Sequence, residues 1–347
     1  MTQTPFISVV VPIRNEAKYI KECLMSIVEQ NYGLENFEII VVDGMSDDKT
    51  QEIVRNLQQE YPNITLFDNP ERYVPFALNK AIAIAKGEII ARVDGHAALE
   101  KDYLTQAVHT INETGAEGVG GQIISVNESK VGKAIALAMS SKFGVGNSRF
   151  RTGGQDGYVD TVAFAVYPKD VFQKIGLFDE FMIRSQDDEF NFRLRDFGGK
   201  VYLTSKMRSK YFPRSSVRKL WQQYFGYGLF KVRLFQKYPR LMQLRHFVPL
   251  AFVLSLFGSA ILAVWPGVAW PFFTVAVTYL VGSFVFALKI CKTSGFEYLI
   301  LLPFIFATLH LSYGSGFLFG LIKFSSFKPP QNTIPQIHVV MSEQTVS

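Results

Sequence analysis

Ile7-Ser8-Val9-Val10-Val11-Pro12-Ile13-Arg14-Asn15-Glu16 is a β-branched run that stops at a cation, an amide and an acid. A short apolar run bounded by turn residues reads as a buried strand. Ala17, Ile20, Leu24, Ile27 and Val28 then recur at helical spacing, so 16–30 reads as a helix. The alternation repeats downstream. Strands are expected at 37–42, 64–67, 89–93 and 118–125, and helices at 49–60, 76–85 and 101–112. This order predicts βαβ units, hence an α/β, Rossmann-like and mainly parallel sheet with right-handed crossovers. Ligands in such sheets bind beyond the carboxyl ends of the strands.

Those ends are acidic. The first strand is followed by Arg14, Asn15 and Glu16, the second by Asp43-Gly44-Met45-Ser46-Asp47-Asp48, and the fourth by Asp94-Gly95-His96. Helix capping accounts for Asn15, Ser46 or Asp47 taken singly. Three carboxylate-bearing ends at one sheet edge make an anionic crevice instead. No glycine-rich phosphate loop follows any strand, which excludes a dinucleotide fingerprint and a Walker loop. Asp94 and His96, two residues apart past a buried strand, can both reach one divalent ion, Mg²⁺ or Mn²⁺. A second cluster, Asp187-Asp188-Glu189, opens a helical stretch, where the macrodipole favours acids. It also offers a carboxylate for general base work.

The charge is unevenly spread. The 347 residues carry a net +6, divided as −8 over 1–196, +12 over 197–246 and +2 over 247–347. An acidic globular part, a basic aromatic belt and an apolar tail are therefore joined. The tail holds charge-free or nearly charge-free runs at 247–265, 268–288 and 298–322, each near the roughly 20 residues a bilayer-spanning helix needs. Three spans are expected, the third, glycine-rich near its end, being alternatively re-entrant, followed by a polar tail, 323–347. The belt, 205–246, suits a helix in the headgroup layer better than a nucleic-acid patch, because it runs directly into the first span. No charged-then-apolar leader with a cleavage site opens the chain, so the soluble part, 1–204, is expected to face the cytoplasm from the inner membrane. Two distant cysteines, Cys23 and Cys291, rule out a disulfide scaffold.

An ordered series of motifs over about 6–240 resembles glycosyltransferase family 2, with the GT-A fold. The series runs Val9-Val10-Val11-Pro12 with Asn15-Glu16; Val41-Val42-Asp43 with Ser46, Asp48 and Thr50; Asn79-Lys80-Ala81 with Ala85-Lys86-Gly87; Arg92-Val93-Asp94-Gly95-His96; and Gln186-Asp187-Asp188-Glu189-Phe190. More narrowly, Arg-Val-Asp-x-His, Gln-Asp-Asp-Glu and an apolar tail resemble the succinoglycan-biosynthesis-type exopolysaccharide enzymes. The resemblance implies an inverting, metal-dependent transfer from a nucleotide sugar to a lipid-linked saccharide on a polyprenyl diphosphate, with no nucleic acid involved. It implies that Asp43 binds the base and that Pro12, Arg14, Glu16, Ser46, Asn79 and Arg92 line the donor pocket. Asp94 and His96 would hold the metal, His96 standing where the family has a second aspartate. Asp187, or Asp188 beside it, would be the general base, since Gln186 replaces the family glutamate. Arg208, Lys210 and Arg214 are the expected acceptor-diphosphate cations. A processive synthase is the competing reading within the class, but Trp221-Gln222-Gln223-Tyr224-Phe225 lacks the Q-x-x-R-W pattern. A non-catalytic membrane scaffold that kept the nucleotide-binding fold is the reading from another class.

Overall fold

The computed structural model describes residues 4–213, 215–326 and 334–336. In chain order its elements are β1 (Ile7–Ile13), α1 (Ile20–Val28), β2 (Phe37–Asp43), α2 (Thr50–Glu60), β3 (Ile64–Asp68), α3 (Val74–Ile84), β4 (Ile89–Arg92), β5 (Ala97–Leu99), α4 (Tyr103–Thr114) and β6 (Gly118–Ser125). There follow α5 (Lys130–Met139), α6 (Lys142–Val145), α7 (Arg149–Thr152), β7 (Gly157–Val159), β8 (Ala163–Pro168), α8 (Asp170–Ile175), α9 (Gln186–Asp196) and β9 (Val201–Tyr211). The chain continues through α10 (Val217–Lys237), α11 (Val248–Leu262), α12 (Trp270–Ser294) and α13 (Leu301–Lys323). Two compact units result. One takes in Met1–Ile124, Gly153–Phe212 and Pro329–Ser347, the other Ser125–Thr152 and Pro213–Lys328.

The first unit is built on a sheet of order β3-β2-β1-β4-β8-β6-β9-β5, with β7 also on β9. From β3 to β4 the pairing is parallel, as the alternation predicts. All seven residues of β1 are buried, which is why its sequence is a continuous apolar run rather than an alternating one. Past β4 the sheet turns mixed: β8 joins β4 antiparallel, β6 joins β8 antiparallel, and β5 and β7 join β9 antiparallel. A buried run reads alike in either direction, so the 118–125 strand carries no sign of its reversed neighbour. The chain fills β1, β2 and β3 to one side and then places β4 on the other side of β1. Strand order reverses between β1 and β4, the place where ligands bind in sheets of this kind.

Two boundaries differ from expectation. β9 runs through the 204/205 position and the unit extends to Phe212, so 205–211 is sheet rather than membrane-interface segment. Alternation along β9 buries Met207, Ser209 and Tyr211 and exposes Lys206, Arg208 and Lys210, which accounts for cations inside a strand. The stretch Ser125–Thr152 leaves the first unit altogether.

In the second unit α13 is the central helix, touched by α5, α6, α10, α11 and α12. The α10 helix forms within the basic aromatic belt, where a helix is expected. Its apolar side, with Leu220, Tyr224, Phe230, Val232 and Leu234, is buried, and Val232 packs with Phe317 and Phe324. The face expected to sink into lipid is thus turned onto α13. Small residues let the two backbones approach: a Cβ on Gly228 would lie 2.0 Å from the Tyr313 carbonyl oxygen, and one on Gly316 2.1 Å from that of Phe225. Gly228→Ala is expected to cost about 1–3 kcal/mol through overpacking, read as a lowered Tm in detergent. Phe143 of α6 lies among the rings of Tyr279, Phe286, Phe306 and His310. His310 bridges from the Phe143 carbonyl (2.8 Å) to the Tyr279 hydroxyl (2.8 Å). Two helices, α12 and α13, are long and apolar enough to cross a membrane; α11 has fifteen residues and falls short of that length.

Candidate active site

The loops after β1 and β2 are latched together by side chains. The Asn15 N–H donates to Ser46 Oγ (2.8 Å), and Asn15 Oδ1 accepts from the Asp47 N–H (3.0 Å). One residue on, the Glu16 N–H donates to Thr50 Oγ1 (2.8 Å), while Asp48 accepts from the Thr50 N–H (2.9 Å) and the Thr50 hydroxyl. Asp43 is fully buried at the end of β2 and accepts from the Ser46 N–H (2.8 Å), the Ser46 hydroxyl and Gln51 Nε2 (2.6 Å). Gln51, on which the sequence gives no signal, also reaches Asp68 at the end of β3 (3.3 Å). Pro12 is buried in β1, and Arg14 is exposed beside Gly44.

Asn15, Met45 and Ser185 hold left-handed backbone, at φ 56°, 58° and 57°. Non-glycine residues adopt it rarely and at a cost of about 1 kcal/mol or more. The three stand after β1, after β2 and before α9, the places where the sequence puts donor and base chemistry. Arg72 and Phe164 hold the same backbone, at φ 66° and 48°.

Arg92 joins those places. The side chain is buried, with Nη2 at 2.9 Å from Asp94 Oδ1 and Nη1 at 3.5 Å from Asp187 Oδ2. Its Nε is also buried and has no hydrogen-bond partner among the described residues. One guanidinium therefore ties the β4 end to the first turn of α9, more than ninety positions away in sequence. Asp187 is half-buried. Burial, then the neighbouring Asp188 and Asp94 charges, push its carboxyl above the usual range, against the pull of Arg92.

His96 is paired with Glu16, Nδ1 to Oε1 at 3.0 Å. Burial disfavours its charge, but the Glu16 hydrogen bond and the surrounding negative groups outweigh that and push it up to about 9. Tyr211 packs against the ring at 5.2 Å, and the Phe212 N–H donates to the His96 carbonyl. Gly95 permits this turn, since a Cβ there would lie 2.7 Å from Ile13 Cγ2. Among the described residues no three His, Cys, Asp or Glu side chains converge as a metal cage. Asp94 and His96 offer one carboxylate and one imidazole, donor types that would suit a divalent ion sharing its shell with a diphosphate. The Glu16–His96 pair has the carboxylate–imidazole form that orients metal-binding histidines, provided the imidazole gives up its proton.

The remaining expected residues divide. Glu189, fully buried, pairs with Arg193 (3.0 Å), whose guanidinium also donates to the Ile175 (2.6 Å) and Leu177 (2.7 Å) carbonyls. Of the three adjacent acids it is the structural one. Asn79 is buried and spends its amide on the Phe178 N–H and carbonyl (both 2.9 Å) and on Glu180 (2.9 Å). That holds the loop ahead of α9 and commits the group that the resemblance places in the donor pocket. Asn79→Ala is expected to lower stability by about 1–3 kcal/mol, the cost of leaving buried partners unpaired, measured as a Tm shift. Arg208 and Lys210 stand on the exposed side of β9, where Lys210 is in register with Ala98. Arg214 lies outside the described residues.

The profile of Glycosyl transferase family 2 matches residues 8–176. The succinoglycan biosynthesis protein ExoA of Rhizobium meliloti is 33% identical over 253 residues, 72% of this chain and 76% of that one. The chain belongs to glycosyl transferase family 2. A Methanococcus voltae relative, dolichyl N-acetyl-α-D-glucosaminyl phosphate 3-β-D-2,3-diacetamido-2,3-dideoxy-β-D-glucuronosyltransferase, is 30% identical over 330 residues, 92% of this chain and 98% of that one. Among solved structures, mannosyltransferase PcManGT of Pyrobaculum calidifontis, in complex with GDP-Man and Mn²⁺, aligns with a TM-score of 0.59 at 19% identity, over 93% of this chain and 88% of its own. Residues 1–349 of S. aureus TarS with UDP-GlcNAc align at 0.52 and 17% identity, over 94% and 93%. The fold of this family-2 glycosyltransferase is GT-A.

Proposed function

We propose that this glycosyltransferase moves one sugar, with inversion, from a nucleotide-sugar donor to a lipid-linked saccharide on a polyprenyl diphosphate, in exopolysaccharide or other cell-surface polysaccharide synthesis. The observation that carries the reading is the Arg92 bridge, which sets the strand-end carboxylate Asp94 and the helix carboxylate Asp187 at one crevice. Donor and base chemistry need that proximity.

In this reading the nucleotide lies over the Pro12–Glu16 and Asp43–Ser46 turns. Asp43 acts through the turn it fixes, because its oxygens already accept from Ser46 and Gln51. The bond from the anomeric carbon to the diphosphate oxygen breaks and its electron pair leaves with the nucleotide. The acceptor oxygen attacks from the opposite face, and its proton passes to Asp187, whose raised affinity for protons suits a general base. Asp94 and His96 would hold a divalent ion, which when bound would supply Lewis-acid neutralisation of the leaving diphosphate. Arg92, with one buried nitrogen unpartnered, contributes fixed positive charge nearby.

The apolar helices and the charge division support membrane attachment, with the catalytic unit on the cytoplasmic side of the inner membrane. The names of the R. meliloti and M. voltae relatives, a succinoglycan biosynthesis protein and a dolichyl-phosphate-sugar transferase, support the lipid-linked acceptor class. The test incubates membranes containing the protein with a panel of labelled nucleotide sugars and a short polyprenyl-diphosphate saccharide. One added residue per acceptor, lost on chelation of divalent ions, is expected. A ladder of long products favours the processive synthase, and no transfer with any donor favours the scaffold.

A further inference from the structure

Residues 334–336 rest on the first unit. The Leu177 N–H donates to the Pro335 carbonyl at 2.9 Å, and a Cβ on Gly176 would lie 2.5 Å from Ile334 Cγ2. The polypeptide therefore leaves that unit after Phe212, passes through α10 to α13, and is back on it by Ile334. Seven residues, 327–333, separate Ser326 from Ile334. Eight Cα steps reach at most about 28 Å, short of a hydrocarbon core of about 30 Å. A chain that starts and ends on one unit crosses a bilayer an even number of times. Three crossings do not fit.

Resting on the membrane reading above, we infer that the bilayer is entered by the α11–α12 hairpin alone, α11 reaching crossing length only together with the apolar residues that flank it in the charge-free run 247–265, and that α13, half of it covered by neighbouring helices, does not cross. The exposure pattern selects this pair. In α11 only Val253 and Ser259 are buried, and in α12 only Ser283, Ala287 and Cys291. Their exposed side chains are large and apolar, among them Phe257, Ile261, Phe273, Val277 and Val281. The turn at 263–269 has no charge, contains exposed Trp265 and is followed by exposed Trp270, the residue type that sits at a membrane interface. Arg240 and Arg245 precede α11, and Lys289 and Lys292 stand at the far end of α12, so both cationic ends of the hairpin fall on one side. By contrast, half of α13 is buried within the protein. It is packed along α10, which carries Arg218, Lys219, Lys231, Arg233 and Lys237. An α13 that crossed would carry α10 and those cations toward hydrocarbon, where charge is costly.

The experiment places single added cysteines at the exposed positions Glu100, Pro266, Glu297 and Ser326 in the full chain. A membrane-impermeant maleimide is then applied to vesicles of known orientation, and the native chain, with Cys23 and Cys291 buried, gives the background. Glu100→Cys, Glu297→Cys and Ser326→Cys are expected to label from the same face, and Pro266→Cys to stay silent from it. Labelling of Ser326→Cys only from the face where Glu100→Cys is silent establishes an odd number of crossings and overturns the inference. Labelling of Glu297→Cys from that opposite face assigns the crossings to α12 and α13 and overturns it as well. Release of the chain into the supernatant by alkaline carbonate overturns the membrane reading itself, a result distinct from either.

Discussion

Asp187→Asn is expected to lower kcat for sugar transfer by about 10²- to 10⁴-fold, the usual contribution of a positioned general base, with Tm unchanged. The substitution keeps the shape of the side chain and removes only its ability to take a proton. Asp187 is half-buried and is held 3.5 Å from Arg92, so a neutral amide there unsettles little. Donor KM should therefore stay close to that of the native enzyme. Asp188→Asn, one position on, should lose much less. If Asp188→Asn is the dead variant and Asp187→Asn retains turnover, the roles are reversed. The pH profile gives an independent check. Burial and the charges of Asp188 and Asp94 raise the carboxyl of Asp187, and a base works only when deprotonated. The acid limb of kcat should therefore fall above the ordinary aspartate value of about 3.9.

Glu189→Ala should do the opposite: it should lower stability by about 3–5 kcal/mol, the cost of breaking a buried ion pair from one side. Arg193 would keep its carbonyl partners on Ile175 and Leu177 but lose the carboxylate that balances its charge at 3.0 Å. Thermal melting in detergent reads the loss, and the surviving folded fraction should turn over at close to the native rate per molecule. Neighbouring acids thus give opposite phenotypes, one kinetic and one structural. A Glu189→Ala protein that melts normally but is inactive would place Glu189 in the chemistry.

Much of this was legible in the sequence because period and position carry it. A continuous apolar run marks β1 as buried on both faces, and the residues after β1, β2 and β4 do meet where strand order reverses. Less legible was what depends on partners distant in the chain. Asn79 looks like a donor-pocket residue by motif, yet its amide is committed to Phe178 and Glu180, about a hundred positions away. The motif places Glu16 in the pocket lining, and its carboxylate is the partner of His96. The aromatic-basic stretch 218–237 has the same amphipathic pattern whether it faces lipid or another helix. Only the close approach at Gly228 and Gly316 decides for α13. The antiparallel entry of β8 between β4 and β6 left no mark in composition at all.

The detour of Ser125–Thr152 out of the first unit has a practical consequence for protein production. Ending translation after Phe212 discards α13 but retains α5, whose buried Ala134, Ile135, Ala138 and Met139 would then face water, and such a fragment should aggregate. A soluble catalytic fragment has to be edited at two places, with the detour excised as well as the tail. The excision is feasible because its ends are near neighbours: Gln122 already hydrogen-bonds the Gly154 carbonyl at 3.3 Å, so a few glycine and serine residues can close the gap.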